Sequence, residues 1–260
     1  MEARVVRISI APVKSLGLVH PDSVDLLSDG VLGDRRFWLV DAEGRLFNNK
    51  RNGPLMTIRP EWDEATRQLS LAFPDGTRVA GTVELGEPVA AELYRRQHPS
   101  RRVVGPWEEA ISRSVGLPLT LLWSEQHATD RGREGGTVSL VSRGSLERLR
   151  EEAGVEAPID GRRFRMMFEI DGVPAHAEDE WIGSSVHLGD AEIVVNGDVG
   201  RCVATSQDPD RGVTDLDTLG TLALYRSEGR TEPLPFGVFG AVTAPGRVRV
   251  GDTVRVPANG

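Results

Sequence analysis

Short runs in which apolar side chains alternate with polar ones or are β-branched recur along the chain, each bounded by turn-forming residues. RVVRISI (4–10), SVDLL (23–27), RRFWLV (35–40), QLSLAF (68–73), TRVAGTVEL (77–85), LTLLW (119–123), VSLVS (138–142), RFRMMFEI (163–170), SVHLG (185–189), AEIVV (191–195) and GRVRVGDTVRV (246–256) share this pattern. Alternation rich in β-branched residues predicts strands of a barrel or folded sheet. DAEGR (41–45) and PDGT (74–77) lie between such runs, where Asp and Gly suit tight turns. Helical spacing is confined to three stretches. GPWEEAISRSVG (105–116) has an early Pro, acids in its first turn and a closing Gly, and SRGSLERLREEAG (142–154) has a Ser cap and a terminal Gly. DLDTLGTLALYR (215–226) is weaker, because Gly220 in its middle costs about 1 kcal/mol against Ala.

The polar stretches RRQHPSRRVVGP (95–106) and SEQHATDRGREGG (124–136) read as loops. A β-rich first half and a mixed second half predict a mainly β chain with a few helices, a β-rich α+β fold. It divides into units over 1–122 and 123–260 that share one cleft.

Charge and composition narrow the function classes. The 260 residues carry 39 acids against 31 bases, a net charge of −8. That balance argues against a general nucleic-acid binder, which needs surplus cations along a phosphate track. The N-terminus shows no apolar core of signal-peptide length, and no run approaches the ~18 apolar residues of a membrane helix. A soluble protein with a cytoplasmic address, and no membrane partner, is therefore expected.

One cysteine, Cys202, stands in VVNGDVGRCVATSQDPDRG (194–212). It can form no internal disulfide and no cysteine-rich structural zinc site. A lone cysteine often fills a core. Here it follows a strand and Arg201, a cation that favours the thiolate, the form that attacks electrophiles and binds metals. Protein residues alone give no ordinary zinc motif around it, so most ligands of any metal it holds would come from elsewhere. Clusters at strand ends offer anion binding: Lys14 with Ser15, Arg35 with Arg36, Lys50 with Arg51, and Arg162, Arg163 and Arg165. AHAEDEW (175–181) reads as a solvated turn carrying Glu178, Asp179 and Glu180, with Trp181 in the core. Asp208 reads as a turn initiator.

Taken in order, PVKSL, LGDRRFWLVDAEGRLF, VSLVSRGSL, RFRMMFEIDG, HAEDEW, LGDAEIVV, GRCVATSQDPDRG and PGRVRVGDTVRV resemble the MOSC family over nearly the whole chain. The first two blocks resemble the β-barrel domain that accompanies MOSC in amidoxime-reducing components. The resemblance implies a MOSC β-barrel beside an N-terminal β-barrel-like domain, and a bound molybdenum cofactor, Mo-molybdopterin. It makes Cys202 the protein ligand to molybdenum and places Asp208 in a supporting role. Lys14, Arg36 and Arg165 become contacts of the cofactor's phosphate or pterin. Arg35 cannot be separated from Arg36 by alignment, and Ser15, Arg51 and Arg163 complete the expected cofactor-binding set. The implied activity is two-electron reduction of small N-hydroxylated or N-oxygenated compounds, fed by a separate redox protein. Two alternatives stay open: a sulfur carrier using a Cys202 persulfide, and a module that binds or delivers the cofactor without chemistry. The chain departs from the family where relatives often read RFRPN and it reads RFRMM. It also departs in PFGVFG, where Phe239 replaces an aromatic hydroxyl.

Overall fold

The computed structural model describes residues 2–125 and 137–256. The loop expected over 124–136 lies from residue 126 onward outside the described residues.

Alternation produces the strands as expected. Along Ser23–Leu27, Val24 and Leu26 point inward while Ser23, Asp25 and Leu27 face solvent, so a one-residue slip would expose both apolar side chains. The largest sheet has seven strands in the order Arg4–Ile8, Phe168–Asp171, Val138–Ser142, Pro235–Ala244, Ala191–Gly200, Ser185–Leu188 and Val254–Arg255. Its edges meet. The Val5 N–H donates to Asp252 O (2.9 Å), and the Val254 N–H donates to Ala3 O (2.8 Å), giving a nearly closed barrel. Val138–Ser142 and Phe168–Asp171 run parallel, which demands a crossover, and helix Arg143–Glu152 supplies it. That helix starts where expected, with the Ser142 hydroxyl accepting from the Ser145 N–H (3.0 Å).

A five-stranded sheet runs Leu46–Phe47, Phe37–Val40, Thr120–Ser124, Arg96–Val104, Glu84–Leu93. It too curls, since Arg45 bridges Glu92. Its core gathers Phe37, Leu39, Leu55, Leu69, Trp107 and Leu121. The barrel core gathers Leu140, Phe168, Ile170, Val186 and Val238, and it includes Val5, Ile8, Val24 and Leu26 from the start of the chain. The first strands thus complete the second core. Residues 9–16 pass from one sheet system to the other: the Ser9 N–H donates to Met167 O (2.8 Å) and the Lys14 N–H to Phe37 O (2.7 Å). This crossing puts Lys14 and Ser15 between the two.

Three expectations need correction. Arg96–Val104 is a nine-residue strand, not a loop. Its inward positions are Ser100 and Val103, so polar Ser100 stands where an apolar signal would have been read, its hydroxyl accepting from Trp38 Nε1–H (3.1 Å). RFRMMFEI is not one strand: Gly161–Phe164 is a 3-10 turn capped by Asp160, Arg165 turns left-handed (φ 52°), and the strand begins at Phe168. AHAEDEW is no solvated turn, because Ala177–Trp181 forms a 3-10 helix in which Glu178 is fully buried.

Gly53 and Gly212 meet backbone to backbone across the cleft, and a Cβ on Gly53 would stand 1.9 Å from Gly212 O. Gly53→Ala is expected to lose about 1–3 kcal/mol of stability, read by equilibrium urea unfolding. A midpoint equal to that of the wild type would mean that this contact has slack.

Candidate functional site

Strand Ala191–Gly200 delivers Cys202 to the mouth of the barrel. The Arg201 N–H donates to Leu234 O (3.1 Å), and the Thr205 N–H (3.0 Å) and hydroxyl (2.9 Å) both donate to Cys202 O. The cysteine backbone is therefore held on both sides while its side chain stays half-buried. It lines a cavity of about 370 Å³ between the two sheet systems, together with Lys14, Ser15, Arg35, Arg163 and Arg165.

Each cation reaches the cavity through a defined local structure. Lys14 and Ser15 are 7 % and 4 % exposed, so the crossing segment presents them inside the protein rather than on its surface. Arg35 pairs with Asp34, which also accepts from the Ala11 N–H (2.7 Å). Arg35 Nη2 donates to Arg165 O (3.2 Å), and Arg165 Nη2 donates to Leu16 O (2.8 Å). The segments around 16, 35 and 165 are thus locked to one another. Arg163 forms a two-pronged pair with Asp215 (2.5 and 2.8 Å). Ser15, Arg35, Tyr94 and Arg165 all have left-handed backbones, with φ between 49° and 74°. Non-glycine residues rarely adopt this region, and it clusters at functional sites where the surrounding fold enforces it.

Four expected residues fall outside the cavity lining, while Lys50 lies within it. Arg162 is paired with Asp160 and Asp210 (both 2.6 Å). The Arg36 guanidinium lies 4.0 Å from the Trp123 ring centre, with Nε and Nη1 buried and unpartnered. Arg51 pairs with Asp41 (2.7 Å) and covers Phe47. Asp208 accepts from the N–H groups of Asp210 (2.8 Å) and Arg211 (2.9 Å), as a turn initiator does. Arg201 also departs from expectation. Its guanidinium is turned onto Phe236 O, Phe164 O (3.1 Å) and Met166 Sδ (2.8 Å), where it ties the cavity wall together.

Sequence reasoning missed Asp29, Asn48, Asn49, Tyr94, Thr137 and Ser139, which also line the cavity. Asn48 and Asn49 adjoin the Lys50–Arg51 cluster and were findable by proximity. The others come from turns and strand ends without a distinctive motif. Asn49 Nδ2 donates to Gln207 Oε1 (3.2 Å), and Gln207 Nε2 donates back to Asn49 O (3.0 Å), another tie across the cleft.

A second polar group lies at the start of helix Arg143–Glu152. Glu178 Oε1 accepts from the Ser142 N–H (3.1 Å) and the Ser145 hydroxyl (2.7 Å), while its Oε2 is buried without a partner. Burial pushes its carboxyl up. Both ring nitrogens of His176 are buried and unpartnered, and burial, with the nearby Arg226 and Arg148 charges, lowers it to about 4. A histidine lowered in the folded state binds fewer protons there than when unfolded, so its contribution to stability is lost as pH falls from about 6.5 through 4. His176→Phe is expected to weaken the stability loss between pH 7 and pH 4.5 by about 1–2 kcal/mol, after allowance for its partial exposure. Urea unfolding at both pH values checks this, and equal losses in the two proteins would contradict it.

Two family models agree with the architecture. The family model for the MOSC domain matches residues 128–255, and that for the MOSC N-terminal beta barrel domain matches residues 2–103. Mitochondrial amidoxime-reducing component 1 of Mus musculus is 36 % identical over 96 % of this chain and 81 % of its own length. Molybdenum cofactor sulfurase of Anopheles gambiae is 28 % identical over 85 % of this chain but only 32 % of its own length. The solved YUAD protein from Bacillus subtilis is 15 % identical, with a TM-score of 0.47, over 98 % of this chain and 96 % of that one. With both domain models matched in order and a relative 36 % identical over 96 % of this chain, the chain belongs to the MOSC family and carries that family's N-terminal β-barrel domain.

Proposed function

We propose that the chain binds the molybdenum cofactor in the Cys202 cavity and reduces small N-hydroxylated or N-oxygenated compounds by two electrons. The observation that carries this reading is convergence: the one thiol of the chain and the cations Lys14, Arg35, Arg163 and Arg165, drawn from segments far apart in sequence, line one cavity. The donor set suits such a group. Among the described residues no cluster of three or more His, Cys, Asp or Glu could hold a metal ion, so a metal bound here needs ligands from a cofactor as well as one thiolate. Arg163 Nε and Thr137 Oγ1 are buried in the cavity lining without hydrogen-bond partners, as donors awaiting an anionic, oxygen-rich ligand would be.

When bound, the cofactor supplies a metal centre that exchanges electron pairs, together with the soft sulfur ligands the chain lacks. The residues of the chain do the rest. Cys202 offers a thiolate from a fixed backbone. Lys14, Ser15, Arg35, Arg163 and Arg165 bind and orient the anionic parts, and Met166, Met167, Val138 and Phe239 form an apolar side that keeps water away. Conversion of N–OH to N–H releases water and consumes two electrons and two protons, the electrons coming from a separate redox protein. Arg36, Arg51 and Asp208 then act as supports rather than contacts. We retain the division into 1–122 and 123–260 as our reading, with the first strands lent to the second unit. No helix among the described residues is long and apolar enough to cross a membrane.

The test is metal analysis of protein from a host that makes the cofactor, followed by benzamidoxime turnover with reduced viologen as donor. Molybdenum near one per chain with turnover supports the reading. Well-folded protein without molybdenum overturns it, and a labile sulfur on Cys202 without pterin would favour the sulfur-carrier alternative.

A further inference from the structure

The cavity owes one wall to a strained hairpin tip. Glu84–Leu93 and Arg96–Val104 pair antiparallel with Arg96 opposite Leu93, which leaves Tyr94 and Arg95 as a two-residue turn. Both have left-handed backbones, φ 50° and 66°. A two-residue turn with both residues in this region normally takes Asn-Gly or Asp-Gly, because each avoids or tolerates the Cβ clash. A tyrosine followed by an arginine is a poor choice for the backbone, so the side chain has to account for it.

The Tyr94 ring lines the same cavity as Cys202. Lys14 Nζ lies 5.3 Å from its centre, and the residue remains 37 % exposed, unlike the buried Phe164 and Phe236 of the neighbouring wall. Part of an aromatic surface is thus open on the cavity, and other apolar surfaces there include Val138, Met166, Met167, Val199 and Phe239.

Resting on the reading above, we infer that Tyr94 is a specificity-determining residue, a platform on which the flat ring of an aromatic substrate packs. The site therefore prefers aryl N-hydroxylated compounds to alkyl ones. A packed aromatic pair supplies about a 2- to 12-fold preference beyond area burial. The ring is what matters, and the hydroxyl is dispensable.

The experiment compares benzamidoxime with acetamidoxime, by calorimetric binding and by viologen-driven turnover, in wild type, Tyr94→Phe and Tyr94→Asn. Asn tolerates the left-handed turn, so Tyr94→Asn is expected to keep or raise Tm. In that variant the preference for benzamidoxime should fall by about 3- to 10-fold in both Kd and kcat/KM, while Tyr94→Phe retains it. An unchanged preference in folded Tyr94→Asn overturns the inference and leaves the proposed reduction standing. Ring-dependent binding without turnover by the wild type sustains the inference and removes the proposed reduction. If the wild type binds neither compound, both fall.

Discussion

Cys202→Ser protein is expected to fold as the wild type does, to lose any molybdenum–thiolate absorption and paramagnetic signal, and to retain no more than about one part in 100 of the reduction activity. Serine fits the space, and the backbone ties from Thr205 and Leu234 do not involve the sulfur. The stability cost is about 1–3 kcal/mol if the new hydroxyl finds no partner. Function is another matter, because a neutral hydroxyl is a hard, weakly donating ligand where a soft thiolate is needed. Altering even the residues that support metal ligands costs about 10- to 100-fold, so replacing the ligand itself should cost at least the upper end. Unchanged metal content, spectrum and turnover in the variant would sink the assignment of Cys202.

Arg201→Met is expected to destabilise the protein by about 2–4 kcal/mol and to weaken cofactor retention, though the side chain need not touch the cofactor. Its guanidinium donates to Phe236 O and Phe164 O, whose residues are 0 % and 3 % exposed and whose rings stack 4.3 Å apart. Methionine would leave two enclosed carbonyl oxygens without these donors, at about 1–3 kcal/mol each before relaxation. Arg201→Lys should restore little, since an ammonium cannot serve both carbonyls from one plane. Denaturant unfolding of the three proteins decides it, with molybdenum content as the second reading. Lysine that restores full stability would show that charge alone, and not the fork, holds this wall.

Much of the fold was legible because local chemistry and tertiary structure agree. Ser23–Leu27 alternates in burial as it does in sequence, and the helices Trp107–Val115, Arg143–Glu152 and Thr218–Tyr225 fall inside the expected stretches. Legibility failed where an inward position is polar. Ser100 serves the Trp38 indole and Glu178 serves Ser142 and Ser145, so neither leaves an apolar signature. It failed again at Arg165, where one left-handed residue interrupts a run that reads as extended. For the site, residue types and the family resemblance together named Cys202, Lys14, Ser15, Arg35, Arg163 and Arg165, which line one cavity, but also Arg36, Arg51, Arg162 and Asp208, which do not. They could not separate Arg35 from Arg36, which are adjacent cations in sequence. Their contacts distinguish them: Arg36 lies over the Trp123 ring, while Arg35 is held by Asp34 and Arg165 O at the cavity. Tyr94 escaped because a strained turn resembles any other polar stretch.

The crossing of residues 9–16 between the two sheet systems bears on biosynthesis. The strand before it, Arg4–Ile8, pairs with Phe168–Asp171, and Val5 is also bonded to Asp252, so that segment has no partner until the ribosome has passed Asp171 and lacks its second until Asp252. Pairings so distant along the chain form late. Residues 37–124 hold all five strands of their sheet and can collapse first. Lys14, whose N–H is held by Phe37 O, can settle with that first sheet, but Arg163, Arg165 and Cys202 follow it in the chain, so a growing polypeptide has no completed cradle in which to trap a cofactor.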